Sequence, residues 1–99
     1  MNKVTEKDVC KVLTAMRDTF VSKNEKYGNS FEISLDKYGM IAALTRISDK
    51  FNRAENIILT GDAGTADESL IDTLLDMANY CVMTAVYNMN GGAKSGKAG

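Results

Sequence analysis

An all-α fold, a three-helix antiparallel bundle with helices at about 5–24, 34–59 and 66–89, is what the sequence predicts from three observations. Apolar residues recur at steps of three and four through three long stretches, the period of a helix laid on a core. Capping patterns open the first and last of those stretches. The two segments between them contain glycine and turn-forming residues, and neither shows the alternation of a strand.

The first helix starts at Thr5, which with Asp8 makes a capping arrangement, and carries Val9, Val12, Leu13, Met16 and Phe20 on one side. Arg17, Asp18 and Lys23 fall on the solvated side. From Asn24 to Ile33 the periodicity fails, and KYGNSFEI reads as a loop with content. At about ten residues it is longer than packed helices need. Gly28 suits a backbone with positive φ. Tyr27 and Phe31 can plug the end of the core or stack on a ligand, with the plug the simpler role for Phe31.

Ser34 or Asp36 caps the second helix, in which Met40 or Ile41, Leu44, Ile47, Phe51, Ala54 and Ile58 form the core stripe. Arg46, Asp49, Lys50 and Arg53 cluster away from it, spaced so that they can touch. TGDAGTA at 60–66 is a turn without the lysine and hydroxyl of a phosphate loop, and Thr65 with Glu68 caps the third helix. In that helix Ile71, Leu74, Leu75, Ala78, Cys81, Val82 and Ala85 span one broad apolar arc meant for the core. Asp72, Asp76, Asn79 and Tyr80 make a polar strip beside it. Asp72 and Asp76, four residues apart, repel unless a cation lies between them, and Lys50 and Arg53 are the obvious counter-charges.

Composition narrows the chemistry. Ninety-nine residues make one domain, at 1–90, followed by a disordered glycine and lysine tail at 91–99. Twelve basic against 13 acidic residues give no case for general nucleic-acid binding. With no histidine and two cysteines, a structural zinc site and any histidine-based mechanism drop out. Cys10 and Cys81 read as reduced core thiols, which points to the cytoplasm. No apolar run approaches the roughly 20 residues of a membrane span, and MNKVTEKDV lacks the apolar region of a secretory signal. Helices about 35 Å long are much for so small a chain to cover, so a homo-oligomer is expected to complete the bundle.

Four short blocks occur in order: Lys26-Tyr27-Gly28, then Arg46 and Asp49-Lys50 with Arg53, then Asp72, then Asp76-Met77-Ala78-Asn79-Tyr80. Together, over about residues 23–87, they resemble the nucleotide modification associated domain 1 family, an all-helical family common in phage genomes. The resemblance implies an intracellular phage-type protein connected with nucleotides, with Lys26, Tyr27, Gly28, Lys50, Arg53, Asp72, Asp76, Asn79 and Tyr80 at the matching positions, of which Lys26, Tyr27, Gly28, Lys50, Arg53, Asn79 and Tyr80 are the candidate ligand-binding residues. The chain is also distantly similar to the all-α nucleoside triphosphate pyrophosphatases. It departs from their metal-binding pattern, because Glu68, Asp72 and Asp76 are spaced by four and the second helix has no Glu-x-x-Glu.

The leading expectation is a nucleotide or cyclic-nucleotide binder that needs no cofactor. Lys50 and Arg53 contact phosphate, Tyr27 or Tyr80 stacks on the base, and Asp72, Asp76 and Asn79 meet the sugar or base. One alternative is a Mg²⁺-dependent pyrophosphatase with Asp72 and Asp76 as metal ligands. Another is a structural helical oligomer that binds a host protein.

Overall fold

The computed structural model describes residues 2–61 and 69–92. These form four α-helices and no strand: α1 (Glu6–Tyr27), α2 (Ser30–Tyr38), α3 (Met40–Thr60) and α4 (Leu70–Met89). The all-α class is as expected, but the expected three helices are four. The chain divides into two compact units, Met1–Ser30 and Phe31–Gly99.

The first unit is α1. Thr5 caps it as expected, its side chain accepting from the Asp8 N–H at 3.2 Å. The helix does not stop near residue 24. It runs on to Tyr27, and the stop is Gly28, whose φ of 66° suits a residue without a Cβ and whose N–H donates to the Asn24 carbonyl at 2.8 Å. Lys26 and Tyr27 are therefore the last turn of a helix, where a lysine also complements the helix dipole. Of the expected stripe, Met16 is buried, whereas Val9, Val12, Leu13 and Phe20 stay 41–55% exposed.

The second unit holds α2, α3 and α4. The expected loop over 24–33 gives way to α2 at Ser30, and the expected single helix over 34–59 is broken at Gly39. There φ is 76° and ψ is −166°, a conformation that an L side chain rarely adopts. The Gly39 N–H closes α2 on the Leu35 carbonyl at 2.8 Å, and the Gly39 carbonyl accepts from Ala42 at 3.0 Å to begin α3. Ser34 and Asp36 lie inside α2 and cap nothing. The described start of α4 is capped by Ser69, which accepts from the Asp72 N–H at 3.0 Å while the Asp72 carboxylate accepts from the Ser69 N–H at 3.4 Å. The expected Thr65–Glu68 cap, the turn beyond Gly61 and the tail from residue 93 lie outside the described residues.

The helices α3 and α4 run antiparallel, since Lys50 meets Asp76 near their middles and the Asn88 amide reaches the Met40 sulfur at 3.4 Å near one end. Small residues let them approach closely: Ala43 (0% exposed) and Ala54 (4%) on α3, Thr73 (0%) and Thr84 (9%) on α4. Burying two threonines costs little here, because Thr73 donates to the Ser69 carbonyl at 3.0 Å and Thr84 to the Tyr80 carbonyl at 2.6 Å. Leu35 of α2, 1% exposed, and Ile57 of α3 add the larger apolar volume.

This packing reverses the face expected of α4. Thr73 and Thr84, eleven residues or about three turns apart, mark the side laid on α3. The arc expected in the core points elsewhere, with Ile71 at 67%, Leu74 at 42% and Val82 at 49% exposure. Cys81 on that arc and Cys10 on α1 are free thiols, as expected, but both are exposed rather than in the core. Among the described residues no helix is long and apolar enough to cross a membrane.

A contact that sequence reasoning missed ties α4 to α2. The Tyr87 hydroxyl donates to Asp36 Oδ1 at 2.6 Å. That bond, helped by desolvation and by the Asp36 and Glu32 charges, pushes the Tyr87 phenol up from 10.0 to about 12. A phenol raised in the folded state contributes stability that is fully present below pH 10 and lost as pH rises through 12. Urea unfolding between those limits is expected to show the wild type losing stability more steeply than Tyr87→Phe. Equal slopes would mean that the hydrogen bond contributes nothing in solution.

Candidate functional site

The α3 helix presents two kinds of surface beside the line of contact with α4. Ala43, Lys50, Ala54 and Ile57 face α4, and Arg46 and Arg53 sit on one flank of that line. With Lys50 they form a row at i, i+4 and i+7, all basic. On α4 the residues bordering the same contact are Asp72, Asp76, Asn79 and Tyr80. The charged strips seen in the sequence do meet, at one defined point.

Lys50 Nζ lies 3.1 Å from Asp76 Oδ2, with the two side chains 25% and 30% exposed. Removal of most of the surrounding water makes this pair stronger than a fully exposed one. The antiparallel register carries Arg46 about one turn to one side of the pair, toward the level of Tyr80, and Arg53 about one turn to the other, toward Asp72. The result is a mixed-charge edge on the α3–α4 hairpin with Lys50–Asp76 at its centre. Asn79, half-buried and three residues after Asp76, makes no side-chain hydrogen bond among the described residues.

Tyr80 does not stand alone at this edge. Its ring packs on Phe31 with centroids 5.1 Å apart and planes tilted by 54°, the offset arrangement that aromatic quadrupoles favour. Phe31 takes the packing role expected of it, half-buried against Tyr80.

The two proposed metal ligands are already engaged. Asp72 closes the cap of α4, and Asp76 holds an ammonium group where a cation would sit. Among the described residues no three Asp, Glu or Cys side chains come together as a metal site. A pair of bridging magnesium ions needs several carboxylates, and Asp62, Asp67 and Glu68, which could add to Asp72 and Asp76, lie outside the described residues.

Lys26, Tyr27 and Gly28 belong to the first unit and form a separate group. Lys26 and Tyr27 border a shallow open depression of about 350 Å³ on α1, shared with Asp18, Thr19, Ser22 and Lys23. Gly28 is explained by its backbone, since a Cβ there would meet nothing within 4 Å and φ is 66°. The structure thus brings together Lys50, Asp76 and the Asn79-Tyr80 pair on one hairpin edge, with Arg53 on the same row. Tyr87 and Asp36 escaped sequence reasoning because they are 51 residues apart and neither belongs to a periodic pattern.

Compared with known proteins, residues 23–87 match the model of the family described as Nucleotide modification associated domain 1. No curated protein matches, and no solved structure matches.

Proposed function

The chain belongs to the nucleotide modification associated domain 1 family, and we propose that it is a nucleotide-binding protein whose ligand docks on the edge between α3 and α4. The observation that carries this reading is the half-buried Lys50–Asp76 pair in a row of three basic residues. An incoming phosphate offers Lys50 a doubly or triply charged acceptor in place of one carboxylate, and Arg46 and Arg53 flank it at one-turn spacing. The Asn79 amide supplies a donor and an acceptor for a base or sugar, and Tyr80 supplies an aromatic surface beside them. Binding in this form needs no metal. The setting that goes with it is the cytoplasm of a phage-infected cell, where a small binder would hold a nucleotide or a cyclic nucleotide signal.

The test is a panel of nucleoside mono-, di- and triphosphates and cyclic dinucleotides, with and without Mg²⁺, read by melting temperature and by product formation. A ligand at 100 times its Kd adds about 2.7 kcal/mol, which for a chain of this length is a rise of about 10 °C or more. Stabilisation without Mg²⁺ and without turnover is the expected result. Turnover that appears only with Mg²⁺ would replace this reading with a pyrophosphatase. A flat response across the panel would remove the nucleotide altogether.

A further inference from the structure

The face of α4 turned away from α3 carries an apolar seam. Ile71, Leu75, Ala78, Val82, Ala85 and Met89 recur at steps of four and three, the heptad spacing of a helix made to pack along another helix. Ile71, Val82 and Met89 are 67%, 49% and 79% exposed, and Leu75 and Ala78 between them are half-buried. Single exposed apolar residues are ordinary on a protein surface; an apolar row five turns long with both ends and its middle open to solvent is not. From this we infer that α4 pairs antiparallel with α4 of a second copy of the chain, about a two-fold axis level with residue 80.

The identity of the occupant follows from the order of large and small residues. One heptad position holds Leu75, Val82 and Met89, and the other holds Ile71, Ala78 and Ala85. In an antiparallel pair centred on residue 80, Leu75 meets the partner's Ala85, Val82 meets the partner's Ala78, and Met89 meets the partner's Ile71. Two of the three layers set a large side chain against a small one, as interdigitating helices require. A two-fold repeats each of these contacts on the other side of the axis.

Charge agrees with the same arrangement. Every seam residue is uncharged. Asp72 falls level with the partner's Asn88, and Asp76 is turned to Lys50 on the α3 side of the helix, so no like charges are brought together. Antiparallel helices also oppose their dipoles favourably. With Leu74 and Val86 beside the seam, at 42% and 46% exposure, contact would take on the order of 500 Å² per copy out of water, about 1,000 Å² in all, the size of a weak, concentration-dependent interface.

Sedimentation equilibrium of the full chain tests this, with far-UV circular dichroism to confirm that each variant keeps its helices. The wild type is expected at the mass of two chains near 100 µM. Val82→Glu, at a position half-exposed in one chain, should fold and weaken association at least 100-fold. Ala78→Leu separates a fitted seam from general stickiness: filling the small position should weaken a fitted pair at least tenfold, whereas a merely adhesive face would associate more tightly with the larger side chain. A one-chain mass for the wild type, or unchanged or tighter association of Ala78→Leu, would overturn the proposal. A lost circular-dichroism signal for Val82→Glu leaves the decision to the Ala78→Leu result and the wild-type mass.

Discussion

Leu35→Ala is expected to lower the unfolding free energy by about 2–5 kcal/mol, the range for truncating a buried leucine. Leu35 is the largest side chain in the second unit that is essentially excluded from solvent, at 1% exposure. It also sits one turn before the break at Gly39, where its carbonyl accepts the Gly39 N–H at 2.8 Å. Its side chain fills the interior of a unit whose other buried residues, among those described, are Ala43, Ala54, Ile57, Thr73 and Thr84, and these mostly small side chains would fill the cavity poorly. The loss is a large share of the 5–15 kcal/mol that holds a typical domain together. Urea denaturation gives the answer directly. A loss below 1 kcal/mol would mean that α2 does not pack in solution as it does here.

Leu35 shows where sequence reasoning ends. The long stretches were legible because helical period over some 20 residues is a strong signal, and α1, α3 and α4 occupy those stretches. Leu35 belongs to a nine-residue helix, too short to display a period of its own. KYGM reads there as a continuation of the apolar run that follows, because a single glycine inside a helical pattern is tolerated and only its dihedrals reveal a break. Periodicity also found the apolar arc of α4 without finding what it faces. Thr73 and Thr84 are counted as polar in any pattern, yet each satisfies its hydroxyl on the preceding turn and can be buried between helices. Asp72 was legible as one of a pair of carboxylates, but its role as a cap depends on Ser69, one residue in a run of polar ones. The charge pair was easier. Two carboxylates one turn apart need a cation, few cations are spaced to supply it, and Lys50 was among those named.

Lys50→Ala is therefore the variant with the most to say about function. It removes the basic group at the centre of the proposed site, and hydrogen bonds to charged groups are worth about 1.5–3 kcal/mol. The expected loss of nucleotide affinity is about tenfold to 150-fold. Stability should change far less, because a pair left about 25–30% exposed contributes no more than the order of 1 kcal/mol. Lys50→Arg keeps the charge and should retain most of the binding, and binding by the wild type should weaken as salt is raised. Asp76→Asn distinguishes the mechanisms, since it removes the carboxylate that a Mg²⁺-dependent enzyme would need while keeping the Lys50 ammonium that would meet a phosphate. Nucleotide binding that survives Asp76→Asn and fails in Lys50→Ala is the signature of a phosphate site. Affinity unchanged by Lys50→Ala would move the ligand off the α3–α4 edge, and the depression beside Lys26 and Tyr27 on α1 would become the next place to look.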